Sequence, residues 1–352
     1  MSRVWDIPVH DSTRVRDVRV AAEAACRDAH LDTRRTDDAA LVATELATNL
    51  LKHGGGGRVV VNLVEPPDTH GGARAVAVQL LSLDHGPGIP DVAAAVRDGF
   101  TTTPSSLGAG LGTCRRISSA FDLYSVRGRG TVVLARIGSD THPRPTAARA
   151  GGINIPLAHA EHSGDAWAWS RSGPLLTLLL ADGLGHGTKA AQASSAAMAE
   201  LHRTAHLPPA DILRRLDTAL RPTRGAAVAL AQLDSGAGTL RFAGVGNIAA
   251  RLRTDGVWQP LVSHPGIVGA AFPATVPVVR QPWSADSLLV LASDGLPGRW
   301  TPPDDPHLLT RDPALIAAAV LRDAGSAASP LRDDTSVAVL APERRTEAHD
   351  RL

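Results

Sequence analysis

The sequence predicts an α+β protein built as two successive units, and three observations carry that expectation. At 352 residues the chain has room for two ordinary domains. Strand-like apolar runs and helix-like periodic segments occur in both halves. Between them, residues 140–150 (Asp-Thr-His-Pro-Arg-Pro-Thr-Ala-Ala-Arg-Ala) lack periodicity and hold two prolines within three positions, which puts a linker there. The units are then 1–139 and 151–342, with 343–352 a polar tail.

In the first unit, residues 12–30 and 36–53 have helical spacing and Asp or Thr starts. Residues 58–64 and 75–83 read as strands, Gly110 to about Ala120 as a helix, and 121–127 with 130–137 as a hairpin. The second unit opens with strands 164–170 and 175–181, turned at Ser172-Gly173-Pro174. Helices follow at about 187–206 and 209–220, the latter entered through Pro208-Pro209. Strands dominate from 226 to 293, with turns at 235–238 and at Asp255-Gly256. A helix from Pro313 to Asp323 has Asp312 at its cap and Gly325 past its end, and 335–340 is a last strand.

Hydrophobic residues make up 43% and charged residues 20%, the composition of packed domains. Aromatics are only 3%, so the cores rest on Ala, Val, Leu and Ile. A net charge of +1 gives no support to nucleic-acid or anionic-membrane binding by bulk electrostatics. Cys26 and Cys114 have neither metal-type nor redox-type spacing, consistent with a reducing compartment. No apolar signal core or membrane-length run is visible, so a soluble cytoplasmic protein is the expectation.

The helix ending at His53 carries Glu45, Asn49 and His53 at four-residue spacing, beside an apolar stripe of Val42, Leu46 and Leu50. Asp84-His-Gly86-Pro-Gly88 follows an apolar strand directly, and Gly108-Ala-Gly110-Leu-Gly112 opens a helix. Glycines there could bring backbone N–H groups and a helix N-terminus against phosphates. In this order the set resembles the Bergerat-type ATP-binding fold of histidine kinases, gyrase-type ATPases and anti-sigma-factor serine kinases, over residues 36–137. Gly130-Thr131 is similar to the threonine-bearing strand that closes the adenine pocket. His53-Gly-Gly-Gly-Gly57 and the stretch from Asp98 look most like the RsbT branch of those kinases.

The resemblance implies an α/β sandwich with helices on one face of a mixed sheet. It implies that Asn49 holds a magnesium ion bridging the ATP phosphates and that Asp84 accepts a hydrogen bond from the adenine amino group. Glu45 would be the general base for a target hydroxyl. His53, Gly86, Gly88, Gly108, Gly110, Gly112 and Thr131 would complete the nucleotide site.

Four aspartates in the second half each sit at the end of an apolar strand: Asp165, Asp182, Asp294 and Asp333. With a turn near Gly173, Asp165 and Asp182 fall nearly opposite one another across the strand pair. Cross-strand Cβ atoms lie about 4.5–5.5 Å apart, so the two carboxylates repel unless a cation or protons intervene. Carboxylates gathered at strand ends suit hard divalent cations. Asp334 stands beside Asp333, and the sequence leaves open which of the two faces the ions.

With Ala181-Asp182-Gly183-Leu-Gly185-His186-Gly187, Ala243-Gly244-Val-Gly246-Asn247, Ser293-Asp294-Gly295-Leu296 and Asp333-Asp334-Thr335, the pattern resembles PPM-type, SpoIIE-like serine/threonine phosphatases over 150–341, closest to the RsbX group. That implies an α-β-β-α sandwich in which Asp165 and Asp182 bridge two manganese or magnesium ions. The Gly183 carbonyl would be a further ligand, and Asp294 and Asp333 would complete the second ion's shell. Water shared by the ions would attack phosphorus in line. An arginine for the phosphate has no motif anchor here; Arg171 and Arg299 are open candidates.

The two resemblances together imply a bifunctional partner-switching regulator. One unit would phosphorylate a STAS-type anti-sigma antagonist, and the other would remove such phosphates. An alternative keeps the phosphatase and makes the first unit a module that binds ATP and a sigma factor or its regulator without phosphorylating it.

Overall fold

A computed structural model describes residues 3–65, 76–96, 110–138, 148–157, 160–298, 300–325 and 331–343. The first unit runs β1 (Val4–Val9), α1 (Thr13–Asp28), α2 (Thr33–Asn49), a π turn (Leu50–Gly54), β2 (Gly57–Val64), β3 (Ala77–Leu83), α3 (Val92–Ala95), α4 (Leu111–Ile117), β4 (Ala120–Val126) and β5 (Gly130–Ile137). Asp32 caps α2 by accepting the Arg35 N–H at 2.8 Å. The strands form one sheet in the order β1-β2-β3-β5-β4. Every pairing is antiparallel, more uniform than the mixed sheet the resemblance implies, because the β4–β5 hairpin folds back beside β3. α1 and α2 cover one face, packing Val18, Val42 and Leu46 on Val59, Val61, Val78 and Leu80.

The second unit runs β6 (Ala148–Ile155), β7 (Asp165–Ser172), β8 (Leu175–Gly183), α5 (Thr188–Thr204), α6 (Pro209–Leu220), β9 (Ala226–Asp234), β10 (Thr239–Val245), β11 (Ala249–Thr254), β12 (Val257–Leu261), β13 (Val279–Pro282), β14 (Leu288–Ala292), α7 (Pro306–Leu309), α8 (Pro313–Ala324) and β15 (Thr335–Pro342). Two five-stranded sheets, β13-β10-β9-β8-β7 and β12-β11-β14-β15-β6, enclose a core that includes Leu178, Leu180, Phe242, Leu252, Leu289 and Leu340. α5 and α6 cover the outside of the first sheet, where Leu201, Ile212 and Leu216 meet Leu179, Val228 and Leu230. α8 covers the outside of the second. The layers are therefore α-β-β-α.

Two strands escape the sequence reading, and one of them moves a boundary. β6 takes in Ala148, Arg149 and Ala150, three residues assigned above to the linker, and pairs them with Pro342, Ala341 and Leu340. Two glycines and an asparagine within eight residues hide this strand from propensity. The glycines have a packing reason. A Cβ on Gly151 would stand 2.6 Å from the Ala314 nitrogen of α8, and one on Gly152 would stand 2.7 Å from the Trp167 ring. β1 is an edge strand that tolerates Asp6 and Pro8 and so shows no alternation.

The two units share a core. On the sheet face away from α1 and α2, Val60, Leu81, Leu83, Tyr124, Val132 and Leu134 pack in one cluster with α8, β6, β14 and β15. Residues Pro313 to Arg322 of α8 are all buried. Burying Leu315, Ile316, Val320 and Leu321 stabilises the joint by about 1.5–3 kcal/mol per side chain. Among the described residues, no helix is long and apolar enough to cross a membrane.

Candidate active sites

In the first unit, Glu45 and Asn49 sit on the last turns of α2, which opens into the π turn. A π turn bonds i→i+5, is wider than an α turn, and is frequent at functional sites. His53 lies on this turn, exposed, and does not continue the Glu45–Asn49 row by plain α spacing. Gly54 brings the end of the turn against Asp84. A Cβ on Gly54 would come 2.9 Å from the Asp84 Cβ, and one on Gly86 would come 2.7 Å from the Gly54 carbonyl oxygen.

Asp84 is buried, and its Oδ1 accepts N–H bonds from Gly86 at 2.8 Å and Thr131 at 3.1 Å. Burial holds its carboxyl above the ordinary aspartate range, and the two N–H bonds only partly offset this. A fixed, desolvated acceptor with its second oxygen unspent suits an exocyclic amine. Thr131 Oγ1 shares a hydrogen bond with Ser125 Oγ at 2.9 Å, and Ser125 Oγ accepts the Ile89 N–H at 2.7 Å. Gly88 adopts φ +74°, where a Cβ would run into the Val126 carbonyl.

Glu45 is half-buried, and burial raises its carboxyl above the usual glutamate range despite the Lys52 charge. A carboxyl raised this way is a better base near neutrality. Burial and then the Glu45 charge push the Cys114 thiol of α4 up to about 12, so that thiol is inert. Asn49, one turn from Glu45, adds an amide oxygen to the carboxylate, a hard donor pair that fits magnesium. Gly110 caps α4 and Gly112 is buried within it. Gly108, with the whole stretch 97–109, lies outside the described residues.

In the second unit, β7 and β8 pair so that Asp165 stands directly opposite Asp182. Asp165 is 2% exposed. Its Oδ2 accepts the Ser293 hydroxyl at 2.6 Å, while its Oδ1 is buried with no hydrogen-bond partner. Burial and then the Asp182 charge hold the Asp165 carboxyl well above the ordinary range. Asp182 is pushed up to about 7 by burial and then by the Asp294 and Asp333 charges. Two facing acids in this state share protons rather than ionise together.

Asp294 follows β14, and its Oδ2 accepts the Asn247 amide at 2.6 Å. Asp333 is exposed and Asp334 is buried. Both oxygens of Asp334 are spent, Oδ1 on the Leu157 N–H at 2.7 Å and Oδ2 on the Gly164 N–H at 2.8 Å. Asp334 ties the start of β7 to β15, and Asp333 is the one whose charge reaches Asp182. The Gly183 N–H bonds to the Gly164 carbonyl at 3.1 Å, and Gly183 packs on Ala190 at the start of α5.

Among the described residues, no group of three or more His, Cys, Asp or Glu side chains is drawn together closely enough to hold a metal ion. The four aspartates stand instead as linked neighbours, Asp165 with Asp182 and Asp182 with Asp294 and Asp333. An orphaned, buried carboxylate oxygen facing a second acid is the pattern that divalent cations with oxygen shells relieve, so these residues fit such ions.

Three side chains around this cluster were not singled out in sequence. Ser293 and Asn247 orient Asp165 and Asp294, and both lay inside quoted motifs. Arg224 lies in the loop between α6 and β9, where Leu184 N–H bonds the Gly225 carbonyl at 3.0 Å. Its Nη1 stands 2.9 Å from where a Cβ of Gly185 would be, beside the Asp182-Gly-Leu-Gly loop. No spacing rule links positions 185 and 224; only the β8–β9 pairing does. Arg171 lies on β7 near its turn, and Arg299 falls outside the described residues.

Residues 173–342 match the family described as Stage II sporulation protein E, SpoIIE. Residues 9–137 match the histidine kinase-like ATPase domain. The SpoIIE match begins after Asp165 and takes in Asp182, Asp294 and Asp333. Over 103 residues the chain is 36% identical to the serine/threonine-protein kinase RsbT of Bacillus subtilis (strain 168), spanning 28% of this chain and 72% of that kinase. A solved structure of a bacterial stressosome system adapted to control secondary messenger signalling is 26% identical, with a TM-score of 0.49, covering 55% of this chain and 98% of that one. RsbX in complex with magnesium is 18% identical, with a TM-score of 0.47, covering 56% and 96%.

The class is thus a fusion of an ATPase-fold domain to a SpoIIE-type domain. In its N-terminal half the chain belongs to the histidine kinase-like ATPase family of the kinase RsbT, and residues 173–342 of its C-terminal half match the SpoIIE family.

Proposed function

We propose that the chain is a partner-switching regulator that both adds and removes phosphate on serine or threonine of a STAS-type anti-sigma antagonist. The observation that carries the hydrolytic half is Asp165 facing Asp182, with the charges of Asp294 and Asp333 converging on Asp182. Asp165, Asp182, the Gly183 carbonyl, Asp294 and Asp333 would hold two manganese or magnesium ions. Such ions supply an activated water and neutralise phosphoryl oxygens. Ser293 and Asn247 orient the carboxylates, and Arg224, beside Gly185, would receive the phosphate as a fork of donors.

In the kinase half, Asp84 and Thr131 would recognise adenine, the glycines of the two loops would line the phosphates, and Asn49 would hold magnesium. Glu45, with its raised carboxyl, would take the proton of the target hydroxyl. The 36% identity to a serine/threonine kinase supports this half.

Two assays test the reading separately. Manganese-dependent hydrolysis of p-nitrophenyl phosphate should be present in the wild type and abolished by Asp182→Ala. Labelled phosphate should pass from ATP to a STAS protein and not do so with Glu45→Ala. Hydrolysis without transfer would leave the first unit as an ATP- and partner-binding module.

A further inference from the structure

We infer that nucleotide in the Asp84 pocket tightens divalent-cation binding at the Asp294–Asp333 side of the carboxylate cluster, with α8 as the shared element. The inference rests on the two-site reading above and adds a coupling between the sites.

α8 is buried by both units, against β6 and β15 on one side and β3, β4 and β5 on the other. Its N-terminal end is clamped to the ATPase sheet. Arg136 of β5 donates to both oxygens of Asp312 at 2.8 and 2.9 Å, and the Asp312 N–H donates to Asp122 of β4 at 2.7 Å. Its C-terminal end meets the nucleotide loop. The Arg322 carbonyl, one of the acceptors a helix end leaves unpaired, accepts the His85 Nε2–H at 3.0 Å. Arg129 pairs with Asp323 at 3.1 Å, and the Arg322 guanidinium lies over the Tyr124 ring at 5.9 Å from its centroid.

His85 is the residue after Asp84, so one short loop carries both the adenine acceptor and the contact to α8. Thr131, whose N–H bonds Asp84, is followed by Val132 in the core shared with α8. A ligand that fixes Asp84 and Thr131 therefore fixes the ends of β3 and β5 on which α8 rests.

On the other side, the same core holds the segments that bear two of the four acids. Leu296, two residues past Asp294, is 2% exposed within it. Leu331, two residues before Asp333, packs against it. Asp165 and Asp182 belong to the other sheet. Coupling through this route thus acts on one side of the cluster. When a first ligand has already ordered a shared element, the second loses less conformational freedom on binding, so the two cooperate. The effect is reciprocal and typically at least about 5-fold in affinity.

The test uses the full chain in magnesium buffer with and without saturating ADP. Hydrogen exchange should slow along Pro313–Ala324 and Thr335–Pro342 when ADP is added. The manganese concentration giving half-maximal hydrolysis of p-nitrophenyl phosphate should fall about 5-fold. His85→Ala should still bind ADP but lose both effects, and His85→Gln, which keeps an N–H donor, should regain part of them. Wild-type protein that binds ADP yet shows unchanged exchange and an unchanged manganese requirement overturns the inference. Absence of any manganese-dependent hydrolysis would instead sink the phosphatase reading, with hydrogen exchange still deciding whether the halves communicate.

Discussion

Arg136 of the first unit grips both carboxylate oxygens of Asp312 in the second, at 2.8 and 2.9 Å, on the residue that caps α8. The pair is mostly screened from water, with side chains 19% and 20% exposed. Arg136 also donates to Gln79 at 3.0 Å, and Gln79 reaches the Gly152 carbonyl of β6 at 3.1 Å. A row of polar contacts thus crosses the joint beside its apolar part.

Arg136→Ala should lower stability by about 2 kcal/mol, the scale of a charge-assisted bond lost from a half-buried site. Burial raises the Asp312 carboxyl, but the Arg136 charge and bonds outweigh it and leave it below the ordinary range. A depressed carboxyl adds stability that is present above its unfolded value and lost as pH falls through its folded one. The wild type should therefore lose more stability than Arg136→Ala on acidification below about pH 4, measured by urea unfolding at stepped pH.

Asp182 gives the opposite sign. Its folded value of about 7 lies above the ordinary 3.8, so between those limits the folded chain holds more protons than the unfolded one. Without divalent cations, the stability this group contributes is fully present below the unfolded value and lost as pH rises towards 7. Melting temperature in chelator should fall from pH 5 to pH 8. Added manganese, which competes with those protons, should flatten or invert the slope; identical profiles with and without metal would contradict the site.

Arg224→Ala should raise KM for a phosphoserine peptide about 10-fold or more, as loss of a charged phosphate contact does, with little change in kcat or manganese requirement. Arg224→Lys should recover part of the loss. An unchanged KM would mean that the guanidinium only packs on Gly185.

Asp84→Asn separates recognition from folding. The amide oxygen can still accept the Gly86 and Thr131 N–H bonds, so the melting temperature should stay within a few degrees. Its second atom becomes a donor facing a donor, and ADP affinity should drop about 10-fold or more by calorimetry.

The elements that bury one regular face were legible in the sequence. α2 carries its stripe of Val42 and Leu46, continued by Leu50 of the π turn; β8, covered on both faces, was legible instead as an unbroken apolar run into Asp182. Alternation failed where both strand faces are covered. Leu80 meets the helices and Leu81 meets α8; Val133 and Val132 divide in the same way. That doubled apolarity was legible, but not the identity of the second cover, which begins roughly 180 positions beyond Val132 and roughly 230 beyond Leu81 in chain order. Asp333 and Asp334 look alike in sequence and differ only in three dimensions, where Asp334 is buried and accepts the Leu157 and Gly164 N–H bonds and Asp333 is exposed. Arg224 was invisible for the same reason as β6: each owes its place to a partner strand or loop rather than to its own neighbourhood.

Gly151, bare of a side chain where α8 settles against β6, belongs to a seam that both halves of the chain build. Severing the two halves at the proline-bearing stretch would strip a greasy flank bare on each fragment, inviting clumping. Each half therefore needs the other to keep its flank dry, which ties the two modules to one chain.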